Sequence, residues 1–260
     1  MSVLNENTII GASAAGGDYE IEQSLRFNKS DTASLMRTPS VASNQRTWTW
    51  SGWVKKCGDN LHNHGVFDAR QTSSGQFTQL NFNNLDKLQF YTSMSGVDYS
   101  WESLALFRDP SAWYHIVAVL NTPSSTQQDR FIVYINGVRQ ANGNQYGALD
   151  LNVLGWINST NPHSIGEVTD GGHHLHGYMG EVNFIDGLAL TPDSFGETGD
   201  YGEWKPIAYD GTYGTNGFYL PFKQDYAVEG FSTVTYEGNG SGQYIGGVGF
   251  QPDLTWFKCR

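Results

Sequence analysis

The sequence is poor in cysteine, in positive charge and in long apolar runs. Its 260 residues include 2 cysteines, and 15 Lys and Arg residues stand against 26 Asp and Glu residues, giving a formal net charge of -11. Cys57 and Cys259 are in no metal-ligand spacing, so we expect two free thiols and synthesis in a reducing cytosol. The negative charge repels phosphates, which excludes nucleic acid as a partner and disfavours an anionic membrane surface.

Signals for membrane segments and for several enzyme classes are also missing. No run approaches the roughly 18 apolar residues that span a bilayer, so we expect no membrane insertion. The polar start, residues 1–7, lacks a basic region followed by an apolar one and indicates no signal peptide. There is no Gly-x-Ser-x-Gly elbow of a serine hydrolase and no Gly-x-x-x-x-Gly-Lys loop of a nucleotide enzyme.

Glycine and aromatic residues are abundant instead. The chain has 31 Gly, 14 Tyr, 14 Phe and 8 Trp, a composition that favours short strands joined by tight turns. The clearest strand pattern lies in residues 109–137, where Phe131, Val133 and Ile135 alternate with other residues and an Asn136-Gly137 pair follows. Asn-Gly supplies the positive φ angles of a tight hairpin. We predict that this stretch is the central hairpin of an antiparallel β protein.

Further strand signals recur from Tyr19 onward, separated by clusters of Gly, Asn and Ser. In residues 47–55 the alternation places Trp48, Trp50 and Gly52 on one face of a strand. Short strands at this spacing predict an all-β, antiparallel, two-sheet sandwich.

Several short sequence segments, in this order along the chain, resemble those of the laminin-G-like, concanavalin A-type jelly roll. They are residues 24–27 (SLRF), 47–55 (TWTWSGWVK), 107–117 (FRDPSAWYHIV), 134–138 (YINGV) and 180–187 (GEVNFIDG). The form with residues 190–197 (LTPDSFGE) after the last strand is similar to domains in virion proteins of marine bacteriophages. The resemblance implies a jelly-roll sandwich of the lectin and glucanase type, set in a tail fibre or a capsid decoration.

We divide the chain into three parts. Residues 1–17 are small, polar and glycine-rich, and we expect a flexible arm that docks on other virion proteins. Residues 18–223 form the laminin-G-like sandwich. Residues 224–260 are either the start of a second β module or a C-terminal extension packed on the first domain.

Aromatic residues near amides predict a carbohydrate site. Lectin sites combine an aromatic platform with hydrogen bonds from amides and carboxylates in loops at one edge. The residues with this mixture are Tyr99, Trp101, Tyr146, Trp156 and Asn158. The alternative is that these side chains pack in the core or at its rim.

Histidine pairs and loop acids predict two kinds of metal site. Each pair places two imidazoles on one strand face, which suits a transition metal, and three chains meeting on an axis would complete an octahedron. Loop acids at the sandwich rim suit calcium, which laminin-G-like domains often hold there. The candidate ligands are His62, His64, His174, His176, Asp68 and Asp86. The alternative for the histidines is that they are polar loop residues between strands.

The sequence does not show the paired carboxylates of a glycosidase. Laminarinase-type enzymes of this fold use Glu-x-Asp-x-x-Glu on one strand, and the nearest match is Asp18, Glu20 and Glu22 at the entrance to the first strand. An acidic edge strand explains these residues better, because edge charges discourage pairing between sheets. We therefore predict that the chain is not an enzyme.

Taken together, these patterns predict a non-enzymatic virion protein that recognises a host-surface glycan. The alternatives are a polysaccharide-degrading glycoside hydrolase of the same fold and a purely structural clamp between subunits. The resemblance to phage proteins implies a homo-oligomer, with a trimer favoured, and a location in the virion after assembly in the host cytoplasm.

Overall fold

Short runs of alternating apolar residues build two β-sheets that share one core. In this computed structural model the described residues are 19–58, 62–71, 76–94, 97–141, 143–168 and 172–223. They form sixteen strands and three short 3-10 helices. The predicted all-β, antiparallel, two-sheet sandwich is confirmed.

The strands and helices have the following bounds. In chain order the strands are β1 (Leu25–Phe27), β2 (Leu35–Arg37), β3 (Thr47–Lys56), β4 (His64–Arg70), β5 (Phe77–Phe82), β6 (Leu88–Met94), β7 (Val97–Glu102), β8 (Tyr114–Asn121), β9 (Phe131–Ile135), β10 (Val138–Arg139), β11 (Asn144–Tyr146), β12 (His163–Ile165), β13 (Gly177–Asp186), β14 (Gly196–Thr198), β15 (Trp204–Pro206) and β16 (Phe218–Leu220). The helices are Lys29–Asp31, Gln127–Asp129 and Pro192–Ser194.

The strands are divided between two large sheets and one small hairpin. Sheet A has the order β1-β13-β3-β8-β9-β10, with β16 also paired to β13. Sheet B has the order β11-β7-β6-β5-β4-β12-β2, and β14 pairs with β15 alone. All pairings between the described strands are antiparallel.

The core lies between the inner faces of sheets A and B, and aromatic rings join them. Trp48 of sheet A has its ring centroid 6.4 Å from those of Phe67 and Phe90 in sheet B. Phe184 of β13 contacts Phe67 at 5.1 Å, and Phe131 of β9 stacks on Phe90 at 3.8 Å. Complete burial of one such side chain stabilises the fold by about 2–3 kcal/mol. These cross-sheet pairs therefore hold the sandwich together.

The predicted alternation in β3 is confirmed. Trp48 and Trp50 are fully buried between the sheets, whereas Ser51 and Trp53 point to the outer face. The predicted hairpin pairs β8, which lies with β3 in the middle of sheet A, with β9, which lies towards one edge. The sequence pattern cannot show this, since strand order depends on contacts between distant residues.

The Asn136-Gly137 turn forms as predicted and connects β9 to β10. Its φ angles are 47° at Asn136 and 78° at Gly137, in the left-handed region that Asn and Gly tolerate. The amide of His115 donates a hydrogen bond of 2.8 Å to Asn136 Oδ1, which ties the turn to β8.

The outer face of sheet A carries a second apolar cluster. Val117, Val119 and Ile185 project outward and are buried with Phe195. Leu190, Tyr209 and Tyr213 also pack on this cluster, so the segment that follows β13 covers this part of the face. Sheet A thus has buried side chains on both of its faces.

The chain divides into two units, Met1–Phe222 and Lys223–Arg260. The predicted arm (residues 1–17) and the predicted C-terminal module (residues 224–260) lie outside the described residues. Within the described ranges, no helix has the length and apolar character that crossing a membrane requires.

Candidate functional site

Sheet B carries a row of aromatic side chains on its outer face, of which Tyr146 is exposed and Phe77 and Tyr91 are half-buried. Tyr91 of β6 and Tyr146 of β11 are both register partners of Ser100 on β7. Register partners project from the same face, so the two tyrosines lie about 10 Å apart across the sheet. Phe77 of β5 lies on the same face, with its ring centroid 4.9 Å from that of Tyr91. We call Phe77, Tyr91 and Tyr146 the aromatic shelf.

Charged neighbours support the aromatic shelf at both ends. The guanidinium carbon of Arg70 lies 4.6 Å from the centroid of Phe77, a cation–π contact. Tyr91 is hydrogen-bonded to Asp98, and burial together with the Asp98 charge raises the pKa of Tyr91. The Tyr91 hydroxyl therefore stays protonated and donates to the carboxylate. Tyr146 is 70% exposed, so its ring faces solvent.

A row of hydrogen-bonded polar side chains continues the same face. Asn81 Nδ2 donates to Gln89 Oε1 at 3.4 Å, and Gln89 Nε2 donates to Glu102 Oε1 at 3.3 Å. The Glu102 carboxylate also accepts from Asn83 Nδ2 at 2.9 Å and from Lys87 Nζ at 3.4 Å. These contacts hold amide and carboxylate groups in fixed orientations beside the aromatic rings, the arrangement by which binding sites orient a ligand.

Of the five predicted carbohydrate-binding residues, Tyr146 is the one that lies on the aromatic shelf. Tyr99 and Trp101 are only 6% and 3% exposed and pack in the core. Along β7, alternation sends these two side chains inward and sends Asp98, Ser100 and Glu102 outward. A buried ring cannot offer a platform to a sugar, so we correct Tyr99 and Trp101 to core residues.

Asn158 is also a structural residue. It is fully buried, and its Nδ2 donates to the Asn44 carbonyl at 2.7 Å and to Asp186 Oδ1 at 2.9 Å. Its φ angle of 67° explains why an asparagine suits this turn. Trp156 is half-buried against the core, and its indole N–H donates to the Ser93 carbonyl at 2.8 Å. A ligand contact at Trp156 stays a prediction.

The histidine pairs do not converge on one point. His62 is exposed, whereas His64 is fully buried and its Nδ1 accepts the His176 amide at 3.4 Å. His174 Nδ1 faces Glu167 Oε2 at 3.3 Å. His62 precedes β4, and His174 and His176 precede β13, so the rule that places residues i and i+2 on one strand face does not apply.

The candidate calcium ligands are engaged in other ways. Asp68 is fully buried within β4. Asp86 accepts from Lys56 Nζ at 2.7 Å and from Arg108 Nε at 3.2 Å. Burial acts to raise the pKa of Asp86, but Lys56 and Arg108 outweigh it and the pKa lies below its usual value. These two cations take the place that calcium would need. The described part of the chain contains no group of three or more His, Cys, Asp or Glu side chains placed to hold a metal ion.

The outer-face carboxylates of sheet B are too far apart for glycoside hydrolysis. Asp68 on β4 and Glu102 on β7 are three strands apart, which is about 14 Å. Asp98 and Glu102 are four residues apart on β7, again about 14 Å. Retaining and inverting mechanisms require roughly 5 Å and 6.5–9.5 Å, respectively. Glu20 and Glu22 precede β1, and Asp18 lies outside the described residues.

A Ser-His pair on the outer face of sheet A has the wrong hydrogen-bond direction for nucleophilic catalysis. Ser51 Oγ lies 2.9 Å from His115 Nε2, and the indole N–H of Trp204 donates to His115 Nδ1 at 2.9 Å. Since an indole N–H only donates, Nδ1 is the acceptor and the neutral imidazole carries its proton on Nε2. His115 therefore donates to Ser51 and cannot take its proton. Burial lowers the pKa of His115 to about 3, so the ring remains neutral.

Sequence reasoning missed most residues of the shelf and its polar row. Phe77, Tyr91 and Asp98 were not among the predicted site residues. The signal was available in residues 77–82 and 88–94, where apolar residues alternate with Gln, Asn and Tyr. A polar or aromatic residue at every second position of a central strand indicates an outer face that is open to a ligand.

Comparison with known proteins defines the family and the fold. A family model described as the concanavalin A-like lectin/glucanases superfamily matches residues 28–194. No curated protein matches the chain.

Similar solved structures include three distant proteins. A heptameric SAP-like pentraxin from Limulus polyphemus is 16% identical, with 66% of this chain and 80% of that chain covered and a TM-score of 0.45. Domains LG4-5 of the mouse laminin alpha1 chain are 8% identical, with 79% and 49% covered and a TM-score of 0.48. A putative carbohydrate binding protein from Bacteroides ovatus is 13% identical, with 70% and 56% covered and a TM-score of 0.42. The chain thus spans about half the length of the last two proteins.

Proposed function

The chain belongs to the concanavalin A-like lectin/glucanase superfamily, and from that premise we propose that it binds a glycan on the aromatic shelf without cleaving it. The observation that carries this proposal is the solvent-exposed Tyr146 in line with the half-buried Tyr91, beside the hydrogen-bonded chain of Gln89 and Glu102. Aromatic faces bind the apolar faces of sugar rings, and fixed amides and carboxylates bind their hydroxyl groups.

The dimensions of the shelf favour an oligosaccharide over a single sugar. Tyr91 and Tyr146 are about 10 Å apart across the sheet, so one ring cannot cover both. Phe77 extends the row on the far side of Tyr91. The shelf is an open surface, which suits a chain that lies across the strands.

Three features support binding without cleavage. The carboxylates on this face are about 14 Å apart, beyond both hydrolytic spacings. His115 donates to Ser51 and so cannot activate it. The Tyr91 hydroxyl donates a hydrogen bond to Asp98, so that carboxylate is already engaged within the protein.

We further propose a virion setting, in which the glycan belongs to a host surface. This part of the proposal is supported by the form of the domain with residues 190–197 after the last strand, which is similar to domains in virion proteins of marine bacteriophages. Residues 1–17 then dock on other virion proteins, and the chain assembles as a homo-oligomer, a trimer by the same resemblance. A structural clamp between subunits remains the alternative use of the same fold.

Glycan binding by point variants tests this function. Immobilised oligosaccharides from bacterial envelopes are the probe, and Tyr146→Ala and Tyr91→Ala are the test variants. We expect each to raise Kd by about tenfold or more, since a lost aromatic contact is worth about 1.4 kcal/mol. Tyr201→Ala is the matched control, because Tyr201 is a 93% exposed tyrosine outside the shelf.

Two results would overturn the proposal. Unchanged binding in both shelf variants would show that the glycan site does not lie on this face of sheet B. Release of reducing sugar ends from the same oligosaccharides, lost in Glu102→Gln, would make the protein a hydrolase.

A further inference from the structure

A cleft lies on the outer face of sheet A, on the side of the sandwich opposite the aromatic shelf. Its volume is about 380 Å³, within the range of ligand sites. It is lined by Ile21, Glu22, Gln23, Ser24, Trp53, Trp113 and Pro206. We call it the tryptophan cleft.

One wall is a segment of the chain that leaves the sheet edge. Residues 19–24 precede β1 and run over the outer face of β13, where Gly180 makes room for them. A Cβ at position 180 would lie 3.3 Å from Ile21 Cγ2 and 3.4 Å from the Gln23 carbonyl. Tyr19 anchors the far end of the segment through a 3.0 Å hydrogen bond to the Tyr219 hydroxyl. The wall is therefore fixed at both ends.

Trp53 forms the floor of the cleft and is held in place by its contact with His115. Trp53 stacks on His115 with ring centroids 5.1 Å apart, and the ring centroid of Trp204 lies 5.9 Å from that of His115. His115 is itself fixed by Ser51 and by the Trp204 indole N–H. Trp53 is thus preorganised, and the neutral His115 adds no charge beneath it.

The open wall offers an exposed aromatic ring. Trp113 is 37% exposed, and its centroid lies 6.3 Å from that of Tyr178 on β13. Lys55 Nζ lies 5.9 Å from the Tyr178 ring and completes the support. A large apolar ring left facing a cleft costs solvation free energy, which a ligand stacked on it recovers.

We propose that the tryptophan cleft is a second carbohydrate site, which takes one uncharged sugar residue. Trp53 and Trp113 supply the ring faces, and Glu22, Gln23 and Ser24 supply carboxylate, amide and hydroxyl groups for the sugar hydroxyls. The acidic Glu22 and the net charge of -11 disfavour an anionic sugar. This site goes beyond the proposed function and shares with it only the class of ligand.

The cleft is too small for a protein partner. A stable protein interface buries roughly 800 Å² on each side. Seven residues line the cleft, and three of them are polar. A single pyranose ring with its hydroxyl groups fits within the volume and suits the mixed lining.

Ligand-observed saturation-transfer NMR with the full chain tests the proposal. The probes are the methyl glycosides of glucose, galactose, mannose and N-acetylglucosamine, with N-acetylneuraminic acid as the charged comparison. We expect saturable binding of at least one uncharged glycoside, weakened about tenfold or more in Trp113→Ala and retained in Trp113→Phe. Tyr201→Ala is the matched control, and a thermal melt verifies that each variant is folded.

Each outcome decides between the two sites. The proposal of a sugar site in the cleft is overturned if none of the four uncharged glycosides binds, or if binding is unchanged in Trp113→Ala. Loss of glycoside binding in Tyr91→Ala but not in Trp113→Ala also overturns the proposed site in the cleft, and it supports binding at the aromatic shelf. Loss in Trp113→Ala alone supports the cleft, whether or not the shelf binds oligosaccharides.

Discussion

At His115, burial decides the chemistry of a residue that is usually exposed and titratable. His115 is 1% exposed, and its ring contacts the rings of Trp53 and Trp204. Both ring nitrogens are engaged, one by a donor and one by an acceptor, and this arrangement fits only the neutral tautomer. His163 is in a similar position, because burial lowers its pKa to about 4.

We predict that the protein loses stability as the pH falls below 6.5. The unfolded chain takes up protons at its histidines near pH 6.5, whereas the folded chain takes them up at His115 only near pH 3 and at His163 near pH 4. A lowered folded-state pKa gives stability that is full above 6.5 and is lost as the pH falls towards the folded value. Each residue contributes on the order of a few kcal/mol. Urea unfolding at pH steps from 7 to 4.5 measures this slope.

His115→Gln is the variant that isolates this effect. Glutamine can accept from Trp204 and donate to Ser51, but it does not titrate, so the slope between pH 6.5 and 4.5 should become shallower. His62→Gln, at an exposed site, should leave the slope unchanged. Equal slopes in the wild type and in His115→Gln would contradict the prediction. Asp86 contributes in a separate, more acidic range, because its pKa lies below 3.8.

At the scale of elements, the bulge in β13 organises one edge of sheet A. The register of β13 on β3 shifts between Gly180 and Asn183, and Glu181 in the bulge has a φ of 50°. On the far side of β13, β1 pairs before the bulge and β16 pairs after it. Glu181 is 9% exposed, and the Tyr219 hydroxyl donates one hydrogen bond that its carboxylate shares between Oε1 at 2.8 Å and Oε2 at 2.9 Å. The carboxylate thus joins the bulge to β16.

We predict that Tyr219→Phe destabilises the fold by about 1–3 kcal/mol, because it removes a hydroxyl that donates to a buried carboxylate. Tyr201→Phe is the matched control, because Tyr201 is a 93% exposed tyrosine away from Glu181. Its effect should be below about 0.5 kcal/mol. The free energy of unfolding in urea measures both, and equal effects would show that Glu181 does not depend on Tyr219.

The elements also show what the sequence could and could not predict. Alternation in β3 and the Asn136-Gly137 turn are local properties, so both were predicted correctly. The inward orientation of Tyr99 and Trp101 was missed, because a shift of one residue in β7 exchanges its two faces. The separation of the His pairs was missed because it depends on where strands β4 and β13 begin. The shelf itself required the order β11-β7-β6-β5, which no single stretch of sequence contains.

At the scale of the whole molecule, the two outer faces of the sandwich differ in what covers them. Sheet A is covered by residues 19–24 and by the segment that packs on Val117 and Ile185. The tryptophan cleft and the aromatic shelf therefore lie on opposite faces of the sandwich.

The assembly state can be tested with the whole chain. We predict a trimer in light scattering whose mass is unchanged by EDTA, because the candidate ligands His64, Asp68 and His174 are buried within one chain. A trimer that dissociates with EDTA would contradict this prediction and return attention to His62, His64, His174 and His176 as ligands between chains. A monomer would contradict the trimer itself. In that case each molecule would bind glycan through a single shelf, and avidity could not compensate for weak binding at that shelf.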